Sequence, residues 1–286
     1  MSVHIISDST CDLSPDLVEE YGINILPLHV LLGEDDRLDG KTVTPDELFE
    51  WSDKNGLTPK TAAPSPDEAI QLMKQVLNED PEAEMVCFSI SAALSSSNNA
   101  MRFAAEELEI EDRVYVVDTK SLSCGVGVIA MYASVLASQG KSAKEISDLC
   151  TKLIPKVRVD FVVDTLTYLH RGGRCSGLAA FMGTTLKLHP KIEMTDGTLH
   201  PGKKYRGNMT KVMKDYTDDI DENLRKANRS VIFLVNSGCD QDFLDKAYEH
   251  LKSVNDFERI YIQRAGSVIS SHCGPGAFGI MYIEGE

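Results

Sequence analysis

Basic residues are scarce in this chain: 29 Lys plus Arg stand against 44 Asp plus Glu in 286 residues, a formal net charge of −15. So acidic a chain repels polyanions, and a general nucleic-acid binder is not expected. Long apolar runs are absent as well. None reaches the roughly 18–20 residues that would span a bilayer, so stable membrane insertion is not expected. Residues Met1 to Ile6 lack the basic region and cleavage site of a signal peptide. The seven cysteines are scattered, without a Cys-x-x-Cys pair. That argues against a disulfide framework and a zinc cluster, and predicts free thiols in a reducing cytoplasm. The common catalytic signatures are missing too: no Gly-x-Ser-x-Gly elbow, no phosphate-cradling loop ending in Gly-Lys-Ser/Thr, no His-Glu-x-x-His. Gly125-Val126-Gly127 lacks the third glycine of a dinucleotide loop. No metal and no tightly bound cofactor are expected.

What remains is an ordinary globular composition, 42% hydrophobic and 26% charged, long enough for one large domain or two medium ones. The charge is uneven. Lys152 to Lys214 holds twelve basic and four acidic residues, about +8, which leaves about −23 for the rest. Such asymmetry marks either a solvated basic face or a surface that meets an anion.

Strand and helix signals alternate through the first half. Val3–Ser7, Met85–Ile90 and Val114–Val117 read as buried strands, and Ile23–Leu32 as a strand interrupted by Pro27. Ser14-Pro15, Thr44-Pro45 and Ser65-Pro66 read as helix starts, with Lys60–Pro64 as a loop. The alternation predicts a parallel sheet between helices, with ligands at the carboxyl ends of its strands. Pro155 and the onset of basic character place a domain boundary near 157, giving domains 1–157 and 158–286. In the second half, helices are predicted over Leu178–Leu188, from Met209 to about Lys226 and over Asp242–Leu251. A hairpin turns at Asp196-Gly197, and strands cover Val231–Val235, Arg259–Gln263 and Gly279–Ile283. The fold class is α/β: an N-terminal parallel-sheet domain and a second α/β domain of more α+β character.

Hydroxyl chemistry at a helix start stands out. Ser91, Ser95, Ser96 and Ser97 follow a buried strand and open a helix, where free N–H groups and the helix dipole favour an anion. Taken alone, Ser95 reads first as a helix cap. Thr61 sits in a proline-punctuated segment, and His272 precedes Gly274-Pro275-Gly276. In Arg171-Gly172-Gly173-Arg174, two guanidinium groups flank glycines that keep the backbone clear, which suits a carboxylate or phosphate partner.

Six segments in order carry a resemblance: Ser7-Asp8-Ser9-Thr10-Cys11-Asp12-Leu13, Thr61-Ala62-Ala63-Pro64-Ser65, Ile90 to Ser97, Leu169-His170-Arg171-Gly172-Gly173-Arg174, Lys204-Tyr205-Arg206-Gly207, and His272-Cys273-Gly274-Pro275-Gly276. Together they closely resemble the DegV family over residues 5 to about 283. The resemblance implies a fatty-acid-binding protein like the carrier subunit of bacterial fatty-acid kinase. Such a carrier presents a bound long-chain fatty acid (palmitate, stearate or oleate) to a separate ATP-dependent kinase for acyl-phosphate formation in phospholipid metabolism. It further implies a tunnel between two domains, with the carboxylate bound by Thr61, Ser95 and His272, and by Ser91 and Ser96 more weakly. Arg171, Arg174 and Arg206 match positions implied in kinase docking or phosphate approach. Ala62 stands where the family usually has a serine, and Ser96 where it has a glycine.

The energetics suit that implication. About fourteen methylenes at ~0.8 kcal/mol each give ~11 kcal/mol of gross transfer energy. A buried carboxylate needs convergent donors, which hydroxyls, helix-start N–H groups and a protonated or donating His272 would supply. Two other classes fit parts of the sequence. In a serine esterase, Ser95 would be the nucleophile and His272 its base, oriented by Asp8 or Asp118. In an interaction module, the basic region 152–214 would be the working surface.

Overall fold

The computed structural model describes residues 2–175 and 188–285. Its first sheet has four parallel strands in the order β2 (Ile23–Leu26), β1 (Val3–Asp8), β6 (Glu84–Ser89), β7 (Val114–Asp118). Both faces are covered, which is why these strands read as continuous apolar runs. Successive residues alternate between two cores. Ile6, Met85 and Cys87 pack with helices α3 (Pro66–Glu79) and α4 (Ser97–Glu107). Ile5, Val86 and Phe88 pack with α5 (Cys124–Ser138) and α6 (Ala143–Leu153). Capping boxes start α2 (Pro45–Asn55) at Thr44 and Glu47, α3 at Ser65 and Glu68, and α6 at Ser142 and Glu145.

The residues around Pro27 depart from the sequence expectation. The run Ile23–Leu32 divides: β2 stays in the parallel sheet, while β3 (His29–Leu32) joins a small antiparallel sheet with β4 (Asp35–Leu38) and β5 (Lys60–Ala62). Proline cannot donate to a ladder, so the chain changes sheets there. Lys60–Ala62, expected as loop, is an edge strand in which Thr61 pairs with Val30.

The third sheet is mixed, in the order β10 (Thr198–Arg206), β9 (Leu188–Thr195), β8 (Val157–Val162), β13 (Phe278–Glu284), β11 (Ala227–Asn236), β12 (Ile260–Arg264). Helices α8 (Met209–Arg225) and α9 (Gln241–Val254) cover one face through Val212, Tyr216, Phe243 and Leu251. The opposite face, including Phe161, Val235 and Met281, shares a core with α5 and the parallel sheet. The two halves are thus distinct as sheets but continuous as a hydrophobic core. Gly125 marks their contact, since a Cβ there would lie 2.4 Å from Val159. This close approach accounts for the glycines at the head of α5 in packing terms.

The β9–β10 hairpin turns at Asp196-Gly197 as its turn sequence predicts. The helix expected over Leu178–Leu188 falls outside the described residues up to 187, and Leu188 opens β9. Two short helices complete this half: α7 (Thr167–Gly172), which ends in the His170–Arg174 segment where the sequence predicts a short helix, and α10 (Ser267–Cys273). The second of these has no sequence signal. Among the described residues, no helix is long and apolar enough to cross a membrane.

Candidate functional site

Three of the four parallel strands end in side-chain oxygens: Asp8, Ser89 and Asp118. Asp8 is fully buried and accepts from the Thr10 hydroxyl, the Thr10 N–H and the Ile90 N–H, so it ties the loop after β1 to the loop after β6. Burial pushes its carboxyl above the usual range. Asp118 accepts from Ala92 N–H and Lys120 N–H. These bonds shape the serine-rich loop that enters α4.

Beside that loop lies a cavity of about 120 Å3, lined by Thr61, Ser95, Ser96, Arg174 and His272, with Leu28, Leu94 and Val268 among its apolar walls. Residues from β5, the start of α4, the end of α7 and α10 meet here. Ser95 accepts a hydrogen bond from Ser97 N–H at 3.3 Å, although the N-cap of α4 is Ser96, one residue later, whose own side chain makes no cap bond. That bond uses only a lone pair, so the Ser95 hydroxyl proton remains available for a ligand.

His272 is the centre of the site. Its Nε2 lies 2.8 Å from Thr61 Oγ1. Its ring packs against Gly172, where a Cβ would come within 2.3 Å of Nδ1. Glycine at 172 is therefore required for the imidazole to sit where it does. Burial, and then the charge of Arg174, lower the His272 pKa to about 4. The imidazole is neutral at physiological pH, and the protonated form considered from sequence is not the one this site favours. The positive charge in the cavity is instead Arg174, whose Nη1 donates to the Gly172 carbonyl at 2.7 Å.

A second cavity, about 50 Å3, is almost wholly apolar; its walls include Phe161, Leu169, Val235, Ala265, Ala277 and Met281. Leu122, Leu199, Ile269 and His272 line both cavities. A polar chamber with hydroxyls and a guanidinium thus adjoins an apolar one through shared walls. None of these apolar wall residues had a sequence signal beyond hydrophobicity.

The remaining sequence candidates lie elsewhere. Ser91 is buried and donates to the Gly197 carbonyl at 2.6 Å, pinning the hairpin turn rather than lining the cavity. Arg171 is exposed and donates to Thr58 Oγ1 at 2.8 Å. Arg206 ends β10 opposite Leu188, seven residues along the strand from Leu199. At ~3.3 Å per residue that is on the order of 20 Å from the cavity wall. The three arginines do not form one cluster.

The esterase alternative loses its geometry. His272 Nδ1 has no hydrogen-bond partner among the described residues, so no carboxylate orients the ring. Asp8 and Asp118 are engaged by the loop contacts above.

Comparison with known proteins agrees with this architecture. The sequence profile of the DegV family, described as uncharacterised proteins, matches residues 2–285. A DegV domain-containing protein of Deinococcus radiodurans is 30% identical over 289 residues, 98% of each chain. Among solved structures, a DegV family protein from Thermus thermophilus described by its fatty-acid binding is 30% identical, with a TM-score of 0.90 over 99% of this chain and 100% of that one. A stearic-acid-binding protein from Eubacterium ventriosum is 26% identical, with a TM-score of 0.84 over 99% and 98% of the two chains. With a family match from end to end and relatives of this similarity, the chain belongs to the DegV family.

Proposed function

We propose that this protein binds a long-chain fatty acid, with the carboxylate beside Thr61, Ser95 and His272 and the tail entering at the apolar cavity, which widens from about 50 Å3 as the chain displaces its wall side chains. The observation that carries the reading is the sharing of Leu122, Leu199, Ile269 and His272 between the polar and the apolar cavity. Burying the tail gives ~0.8 kcal/mol per methylene, and the hydroxyls and Arg174 offset the desolvation of the carboxylate. Ser96 contributes at the mouth of the site, where it is exposed. In this reading the chain has two domains, 1–157 and 158–286, joined through the core that also forms the tail site.

The same reading extends to acyl-phosphate formation in the cytoplasm by a separate ATP-dependent fatty-acid kinase. One carboxylate oxygen attacks the γ-phosphorus of ATP, the bond to the β–γ bridging oxygen breaks, and ADP leaves. Neutral donors suit this step because they hold the carboxylate without quenching its nucleophilicity. Arg174, at the cavity, is suited to phosphate approach; Arg171 and Arg206, on the surface, are suited to docking the kinase.

Denaturing mass spectrometry of small molecules released from freshly purified protein tests the binding. A stoichiometric long-chain fatty acid is expected. An empty preparation that also ignores added oleate and palmitate overturns the reading.

A further inference from the structure

Helix α10, which carries His272, has little reason to form by itself. It has seven residues, among them three serines and the β-branched Val268 and Ile269, and its N-cap is Gly266, which has no side chain to cap with. Isolated helices so short are unstable in water, and serine and β-branched residues lower the propensity further. The free N–H groups of its first turn are taken by two carboxylates that come from far away in sequence. Gly266 N–H donates to Asp12 Oδ1 at 2.9 Å, and Ser267 N–H donates to Asp39 Oδ1 at 2.7 Å. A Cβ on Gly266 would lie 2.9 Å from the one carboxylate and 3.2 Å from the other, so the pair flanks a single residue.

The second oxygen of each carboxylate is also held. Ser123 donates to Asp12 Oδ2, and Ser9 donates to Asp39 Oδ2 at 2.8 Å. Both acids are almost completely buried. Asp12 and Ser123 adopt φ of +51° and +53°, left-handed backbone that is uncommon outside glycine, and they are partners in the same hydrogen bond. Strain of this kind persists where surrounding contacts over-determine it. Three loops of the N-terminal half therefore converge on one turn of a helix near the C-terminus.

We propose that Asp12 and Asp39 are positioning residues of the fatty-acid head-group site: a carboxylate clamp on the first turn of α10 that holds His272 against Thr61. The proposal rests on the fatty-acid reading above. His272 lies six residues beyond Gly266 on a helix anchored at that end, so releasing the clamp lets the helix shift and breaks the 2.8 Å contact to Thr61.

The clamp is built from acids alone. The charged groups acting on it are Asp8 and its own two members. Other titratable groups on the elements packed against α10 are engaged elsewhere or exposed: His29 of β3 with Asp36 and Glu68, Arg171 of α7 with Thr58, Arg264 before α10 with Asp46 of α2, and Lys60 of β5 exposed. Burial pushes Asp39 up to about 6 and moves Asp12 in the same direction. His272 is neutral down to about pH 4. A titration near pH 6 sensed at its ring and abolished by Asp39→Asn therefore originates in the clamp, not in His29 of β3 or the exposed His170 of α7.

The test uses the delipidated full chain with isotope-labelled histidine, followed by NMR across pH 5–8, together with palmitate binding at pH 7.5. In the wild type, the His272 resonances are expected to show an inflection near pH 6, and Asp39→Asn, which keeps an acceptor but not the titration, to lose it. Asp12→Ala and Asp39→Ala are expected to bind palmitate about tenfold or more weakly, with Asp39→Asn restoring part of the loss. Two results overturn the proposal: a wild type without the inflection or an Asn variant that keeps it, and a folded Ala variant with wild-type affinity and unchanged His272 resonances. Should the Ala variants not fold, the Asn spectrum decides. Failure of the wild type to take up palmitate would sink the fatty-acid reading, while the His272 spectra still decide the clamp.

Discussion

Thr61 Oγ1 and His272 Nε2 lie 2.8 Å apart although 211 residues separate them in the chain. With the imidazole neutral, an Nε2–H donates to the Thr61 oxygen, and the threonine proton is then free to point at a ligand oxygen. The unpartnered Nδ1 fits this tautomer, because a bare lone pair against Gly172 costs less than a buried N–H without an acceptor. The pair works as one donor, and the histidine sets the direction of the threonine hydroxyl.

Replacing either partner therefore removes the function of both. Thr61→Ala and His272→Ala should each weaken fatty-acid retention by about ten- to a hundredfold, the equivalent of about 1.5–3 kcal/mol for a hydrogen bond to a charged group. The double variant should lose little more than either single one. Lipid content after purification and palmitate titration check this; strictly additive losses would contradict the coupling.

Gly172→Ala should act at a distance from any ligand. The new Cβ would meet His272 Nδ1 at 2.3 Å and force the ring away from Thr61. The expected outcome is a folded protein with weakened fatty-acid retention. At Gly173, by contrast, a Cβ meets nothing within 4 Å, and its φ of +69° tolerates asparagine. Gly173→Asn should keep most binding, and equal losses from the two changes would refute the packing argument.

Two contributions to the pH dependence of stability oppose each other at the head-group site. His272 is lowered from 6.5 to about 4 on folding, so it contributes stability above pH 6.5 that is lost as the pH falls toward 4. Asp39 is raised from 3.8 to about 6, so its contribution is full below pH 3.8 and is lost as the pH rises through 6. Each amounts to about 3 kcal/mol across its window. Relative to the wild type, His272→Gln should tilt stability downward with rising pH between 4 and 6, and Asp39→Asn should tilt it upward. Denaturant unfolding at pH 4, 5 and 6 reads both slopes, and like slopes in the two variants would disprove the assignment.

The arginines should separate by function. Arg174→Ala should weaken fatty-acid retention and, by removing a neighbouring positive charge, raise the His272 pKa above about 4. Arg206→Ala, on the order of 20 Å along β10 from Leu199, should slow acyl-phosphate formation by a fatty-acid kinase without changing retention. Retention assays with the histidine titration, and a coupled kinase assay, distinguish the two. Identical profiles would mean that the basic residues act as one surface.

Much of the architecture was legible in local chemistry. Buried parallel strands announce themselves as unbroken apolar runs, as at Met85–Phe88, and serine or threonine before proline marks the starts of α2 and α3. The motif order identified the family, and Thr61, Ser95, Ser96, Arg174 and His272 do line one cavity. Ser91 and Arg206 belong to the same motifs but point to other work. A motif records which residues occur together, not which face of a strand or loop each occupies.

The amino-acid sequence by itself determined the alternation of elements, the helix caps and the kind of chemistry gathered at the strand ends, because those depend on neighbours within a few residues. Tertiary structure alone decided that Ser267–Cys273 is a helix, that His272 is uncharged and that the walls of two cavities are shared. A seven-residue serine-rich segment cannot nucleate a helix in water, but two buried carboxylates from positions 12 and 39 complete its first turn. A histidine loses its charge only where packing removes water from it, and that depends on residues brought together from the whole length of the chain.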